Sequence, residues 1–207
     1  MSAALASLAA SVSSANPFLW YVTRAAAVSA YITLSAAVVL GLCRSLAPAM
    51  RVRIPWELDE AHQFLAVLTA ALLALHLISL VFDPLIPFAP LNLLVPLGEP
   101  YRPLAVGLGV FALYAVLVVL LSSWLRRRIA HATWRMLHYT SFAAFLLVTL
   151  HGLLAGTDSG EPWMRLVYLA AAGLVGLLTA LRVFAPTRPQ PAHQLVARSS
   201  VSRNGRR

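Results

Sequence analysis

The sequence lacks lysine altogether and has little charge of either sign. Of its 207 residues, 11% are charged and 60% are hydrophobic, whereas soluble domains carry about a quarter charged residues. This composition predicts an integral membrane protein with several apolar spans and short connections. The net charge of +9 comes from arginines that lie between and after the apolar runs. Nucleic-acid binding is therefore a poor explanation of the charge, because no soluble basic face is present to carry it.

Cysteine is nearly absent as well. A single residue, Cys43, excludes an internal disulfide and any iron–sulfur cluster held by several cysteines. Residues 1–16 have no basic n-region, so we expect an interfacial or disordered N-terminal arm rather than a cleaved signal peptide. Residues 186–207 are rich in proline, arginine and serine, and we expect a disordered basic tail there.

The apolar runs between these ends predict an all-α bundle of about five transmembrane helices. The third run contains Gly107-x-Gly109-x-x-Ala112, which imitates a dinucleotide fingerprint but lacks the strand–turn–helix setting that this motif needs. The connection 83–103, rich in proline and leucine, is too broken to span, and we expect a lid against the membrane surface. The predicted spans are about 17–43, 60–82, 104–125, 136–156 and 163–185.

The arginines also predict an orientation. All but three of the 16 arginines lie in residues 44–59, in residues 126–135, or from Arg182 onward. Because basic loops stay on the cytoplasmic side, these segments are predicted to be cytoplasmic. We therefore expect a multi-pass protein of the plasma (inner) membrane, with the N-terminus outside and the C-terminus in the cytoplasm.

Four of the six histidines form two pairs on the second and fourth spans. His62 and His76 are 14 residues apart, and His138 and His151 are 13 apart. Each pair then extends about 20 Å along its helix, which places one histidine near each edge of a hydrocarbon core about 30 Å thick. A lone histidine in an apolar helix is most often a packed residue, but ionisable groups within membrane helices are rare and usually functional. Imidazole is an axial ligand of haem iron, so the pattern favours two haems between these helices.

The second and fourth spans run in the same direction, so His62 is predicted to face His138 and His76 to face His151. At 3.5 residues per turn, two side chains 14 residues apart lie on the same face of a helix. Two side chains 13 residues apart do not, because they point about 100 to 140° apart on a regular helix. Either the fourth helix is irregular, or one ring reaches its iron sideways, and we predict a kink, an overwound turn or tilted haem planes between His138 and His151.

His62-x13-His76 followed by His138-x12-His151 resembles the two-haem pattern of the ferric reductase-like transmembrane domain superfamily. That superfamily includes ferric reductases, NADPH oxidases and the haem-binding membrane subunit of bacterial methionine sulfoxide reductase systems. The resemblance covers residues 17–185 and implies a haem domain in which these four histidines are the iron ligands of two haems b. Arg24, in the first span, either extends to the membrane interface or pairs with a haem propionate.

The resemblance implies a membrane cytochrome b that carries electrons across the bilayer as the electron-transfer subunit of an oxidoreductase. With no flavin or nicotinamide domain expected here, the donor would be a separate flavoprotein reductase or a quinol on the cytoplasmic side. The acceptor on the outer side is not specified, and lipid is the surrounding partner. Two other classes stay open, namely a haem-free proton or metal-ion transporter with a histidine relay and a structural or assembly subunit.

Overall fold

The computed structural model describes residues 16–53, 55–83 and 88–185, and every regular element within these ranges is helical. The predicted all-α class is therefore confirmed. The N-terminal arm, apart from Asn16, and the basic tail lie outside the described residues, so the predicted division into arm, domain and tail stays a prediction. The helices are α1 (Phe18–Met50), α2 (Glu57–Phe82), α3 (Pro103–Trp124) followed by a 3₁₀ turn (Leu125–Arg127), α4 (His131–His138), α5 (Thr140–Ala155) and α6 (Pro162–Phe184).

Five helical segments in the described ranges are long and apolar enough to cross a membrane, as predicted. The third combines α3 with the 3₁₀ turn, and the fourth combines α4 with α5. Such segments suit a bilayer because each helix satisfies its own backbone hydrogen bonds. The first span is longer than predicted: Arg44 and Pro48 suggested an early end, but the helix continues to Met50, and Leu46 and Ala47 in its last turns are buried.

The helices associate chiefly as two pairs, α1 with α2 and α3 with α5, and α6 packs against α1. Hydroxyl groups connect the first pair: Thr23 donates to Ser79 at 2.7 Å, and Thr69 donates to Thr33 at 2.9 Å. Interhelical hydrogen bonds of this kind are a usual device in membranes, where apolar burial between helices provides little driving force. The buried apolar cluster where α1, α5 and α6 meet consists of Tyr31, Val38, Leu42, Phe145, Met164, Tyr168 and Val175.

The fourth span is interrupted at Tyr139, directly after His138. The N–H of Tyr139 donates to both Arg135 and Met136 carbonyls at 3.2 Å, and the N–H of Phe142 donates to the Tyr139 carbonyl at 3.1 Å. Hydrogen bonds to the third preceding residue belong to the tighter 3₁₀ geometry. The predicted irregularity of the fourth helix is thus present as a locally overwound turn.

The connection between α2 and α3 forms a series of turns in its described part, residues 88–102. Glu99 accepts hydrogen bonds from the Asn92 side chain at 3.2 Å and from the Tyr101 N–H at 3.3 Å. Leu97 packs on Gly107 at the start of α3, where an added Cβ would lie 2.6 Å from its side chain. The segment therefore covers one end of the bundle, and its position against a membrane surface stays a prediction.

Candidate functional site

His62 on α2 and His138 at the end of α4 lie together at one end of the bundle. This end carries Arg126, Arg127 and Arg128 between α3 and α4, which we call the basic turn. We call the two histidines the basic-end pair. Their ring centres are 6.2 Å apart, with the planes at 63°. The Nδ1 of His62 lies 2.9 Å from the carbonyl oxygen of Ala37 on α1. Because a carbonyl can only accept, this Nδ1 carries the proton and Nε2 keeps its lone pair for another partner.

His138 is held differently from His62. Its Nδ1 is buried and has no hydrogen-bond partner within the described residues. Its ring instead stacks on the indole of Trp134, with 5.1 Å between ring centres and planes 28° apart. The guanidinium of Arg126 lies 5.4 Å from the centre of the same indole.

His76 on α2 and His151 on α5 lie toward the opposite end and line one cavity. We call them the cavity pair. The Nδ1 of His76 lies 3.1 Å from the Thr23 carbonyl oxygen on α1, and the Nδ1 of His151 lies 2.6 Å from the Ala105 carbonyl oxygen on α3. In both residues the proton is therefore on Nδ1, and the lone pair of Nε2 remains available to bind a metal.

Glycines on the neighbouring helices make room for these rings. A Cβ added at Gly109 on α3 would lie 2.8 Å from both Cε1 and Nδ1 of His151. A Cβ added at Gly41 on α1 would lie at an ordinary 3.4 Å from Cε1 of His62. The glycine of the third span that imitated a nucleotide motif thus serves to admit a histidine ring, which the sequence pattern did not reveal.

The cavity has a volume of about 240 Å³ and is lined mainly by apolar side chains of α1, α2, α3 and α5. Phe88, Leu93 and Tyr101 from the α2–α3 connection also line it. An apolar space with a few converging polar groups is the usual character of a small-molecule or cofactor site.

Arg24 lines this cavity together with Asp158, which follows α5. Its Nε donates to Oδ2 of Asp158 at 3.1 Å, and its Nη2 forms an ion pair with Oδ1. The Arg24 side chain is 35% exposed and that of Asp158 is 15% exposed. Sequence reasoning considered an interface position or a haem propionate for Arg24 but missed Asp158, which lies 134 residues away in the chain. The cofactor-binding role of Arg24 stays a prediction.

The structure places His62 beside His138, as the helix directions predicted, and it places His76 and His151 in the lining of the same cavity. His131 instead lies beside Trp134, with 5.5 Å between ring centres, and His193 lies outside the described residues. Within the described ranges, no group of three or more His, Cys, Asp or Glu side chains is placed to hold a bare metal ion. A haem needs only two axial protein ligands, so paired histidines remain compatible with it.

The residues fit haem ligation on two observations. Ring centres 6.2 Å apart leave room for one metal atom with a bond of about 2 Å to an imidazole nitrogen on each side. Three of the four histidines donate Nδ1–H to a main-chain carbonyl, and metal-ligating histidines are oriented by such a hydrogen bond on the other ring nitrogen.

Comparison with known proteins gives one match. The family model for the ferric reductase-like transmembrane component matches residues 26–149, which include His62, His76 and His138 and end two residues before His151. No curated protein and no solved structure matches the chain. With five spans and this match, the protein is a multi-pass membrane protein and a membrane component of an oxidoreductase, which implies a separate redox partner. The match covers more than half of the chain, which therefore belongs to the ferric reductase-like transmembrane component family.

Proposed function

We propose that this protein is a membrane b-type cytochrome that carries electrons across the bilayer through two bis-histidyl haems. The observation that supports the proposal most strongly is the presence of two histidine pairs between the second and fourth spans. One pair lies at the basic end and the other lies in the apolar cavity. Two pairs at two depths suit a relay that crosses a membrane better than a single binding site does.

The chain's own residues would hold and orient the two groups. His62 and His138 would ligate one haem, and His76 and His151 the other. The carbonyls of Ala37, Thr23 and Ala105 fix three of these rings with Nε2 available. When bound, haem supplies reversible one-electron chemistry, and two histidine ligands leave no open iron position, which suits electron transfer.

The arginine distribution supports an orientation with the basic-end pair on the cytoplasmic side. A separate flavoprotein reductase or a quinol would then reduce the haem at the basic-end pair, and an acceptor on the outer side would oxidise the haem at the cavity pair. The exposed Arg126, Arg127 and Arg128 next to α4 would attract an acidic flavoprotein. Protease access to the C-terminal tail in right-side-out vesicles tests this orientation, and digestion from the outer face would reverse it.

The experiment that tests the function is haem quantification in the purified protein. We expect about two haems b per chain and a reduced spectrum typical of low-spin cytochrome b. His76→Ala or His151→Ala should remove one haem and leave the other, as should His62→Ala or His138→Ala. His131→Ala is the matched control, because His131 belongs to neither pair, and it should retain both haems.

A folded protein that stays colourless after expression with ample haem would contradict the proposal. If such a protein moved protons or metal ions across vesicle membranes, the histidines would instead form the relay of a transporter. If it did neither, the remaining class would be a structural or assembly subunit.

A further inference from the structure

We propose that Trp134 is the residue that positions the imidazole of His138, in place of the carbonyl hydrogen bond that orients the other three histidines. The inference rests on the proposed function for the identity of the group that His138 holds. The contacts that carry it come from α4 and the basic turn.

The four histidines differ in how their rings are fixed. His62, His76 and His151 each have Nδ1 within hydrogen-bond distance of a carbonyl oxygen on a neighbouring helix, at 2.6 to 3.1 Å. The Nδ1 of His138 is buried without a partner among the described residues. A histidine ring has a broad torsional preference about its last side-chain bond, so its plane must be set by a contact other than a hydrogen bond.

Trp134 provides that contact. It lies four residues before His138 on the same short helix, a spacing that places two side chains on one face. The 5.1 Å between ring centres and the 28° tilt are within the range of stacked aromatic pairs. The indole covers a face of the imidazole, which restricts rotation of the ring as a hydrogen bond would.

The indole is itself held from the basic turn. Arg126 lies over its ring at 5.4 Å, a distance at which a cation is attracted to an aromatic face. The ring of His131 lies 5.5 Å away. Contacts from the 3₁₀ turn after α3 and from the start of α4 therefore reach His138 through a single side chain, that of Trp134.

The break in the helix at Tyr139 explains why a stacked tryptophan can position His138. Since α4 ends at His138 and α5 begins at Thr140, the rings on α4 need not follow the face that α5 presents. On a regular helix, residues 13 apart would point about 140° apart. The separate short helix lets Trp134 and His138 be placed together against His62.

A purely anchoring role is the competing explanation, because tryptophan is frequent at membrane interfaces. An anchor would affect expression and stability but not the ligand field of a haem. The test therefore needs a spectroscopic readout of one haem at a time. The His76→Ala background is predicted to retain only the haem at the basic-end pair, and the His62→Ala background only the haem at the cavity pair.

In the His76→Ala background we expect Trp134→Leu to shift the low-spin EPR signal and to speed haem loss to a haem-scavenging protein several-fold. Trp134→Phe retains a stacking ring and should stay close to the parent in both measurements. In the His62→Ala background Trp134→Leu should change neither measurement. Trp163→Leu, at the start of α6, is the control for loss of a tryptophan that contacts neither histidine pair.

Arg126→Gln keeps Trp134 and removes the cation above its ring. This variant therefore tests the positioning role independently if Trp134→Leu does not fold. It should shift the same signal in the same direction by a smaller amount. Equal EPR spectra and equal haem loss for Trp134→Leu, Arg126→Gln and Trp163→Leu would overturn the positioning role alone. A wild-type protein that binds no haem would overturn both this inference and the proposed function.

Discussion

The cavity pair and the basic-end pair contain the same residue type between the same two spans, yet their surroundings differ. Both members of the cavity pair donate to main-chain carbonyls and face an apolar cavity of about 240 Å³. In the basic-end pair one histidine has a carbonyl partner, while the other has a stacked indole with an arginine beyond it.

The difference shows that histidine rings in equivalent pairs can be oriented by two kinds of contact, a hydrogen bond to a carbonyl or a stacked indole. Hydrogen bonds to the second ring nitrogen, burial and nearby charge each tune a bound haem. Two haems in these sites would therefore have distinct environments, and we expect a redox titration to resolve two components. A titration that fits a single component would weaken the contrast between the pairs.

The largest effect on haem content is expected from Gly109→Ala. The new Cβ would lie 2.8 Å from the His151 ring, so the ring must move or lose its bond to Ala105. We expect loss of about one of the two haems, measured by extraction. Gly41→Ala meets His62 at an ordinary 3.4 Å and should keep both haems. Gly173→Ala, with open space at the Cβ position, is the neutral control. Equal haem content in all three variants would show that close packing does not distinguish the pairs.

The next effect concerns the ion pair at the cavity. Asp158→Asn removes the carboxylate that accepts two donors from Arg24. Because both side chains keep some contact with solvent, we expect a loss of about 1–2 kcal/mol in stability, less than for a fully buried pair. A double-mutant cycle with Arg24→Gln, read from thermal unfolding in detergent, should give a coupling of similar size.

The same two variants examine the predicted cofactor-binding role of Arg24. If Arg24 supports the haem at the cavity pair, Arg24→Gln should shift that haem's midpoint potential while the haem at the basic-end pair stays unchanged. A spectrum and potential identical to the wild type would leave Arg24 as a structural partner of Asp158.

A smaller effect is expected at the basic turn. Arg127→Gln with Arg128→Gln leaves Arg126 over the indole and should slow haem reduction by the native donor several-fold at low ionic strength. The difference should shrink as salt is added, since exposed charges are screened beyond about 10 Å at 0.1 M. Rates that match the wild type at every salt concentration would favour a quinol that enters from the bilayer.

The smallest effect is expected between α1 and α2. Ser79→Ala removes the hydroxyl that accepts from Thr23 at 2.7 Å. Interhelical hydrogen bonds in membranes contribute about 0.6 kcal/mol, so a small fall in melting temperature should result with unchanged haem content. Loss of the haem at the cavity pair would show instead that Ser79 helps to hold the Thr23 carbonyl against His76.

The helices were predictable because a bilayer demands runs of about 20 apolar residues whose backbone hydrogen bonds are satisfied within the run. The histidine pairs were predictable from their spacing, and the irregular fourth helix from a separation of 13 residues that no regular helix keeps in register. The ends of the helices were less predictable from the sequence, since Arg44 and Pro48 did not terminate α1.

The sequence by itself thus determined the class, the five spans and the histidines that could meet across two parallel helices. Tertiary structure alone decided which carbonyls orient those rings, that Gly109 admits His151, that Asp158 pairs with Arg24 and that Trp134 covers His138. These contacts depend on the rotation and depth of each helix relative to its neighbours. Rotation and depth follow from packing over the whole bundle, and no local pattern of residues encodes them.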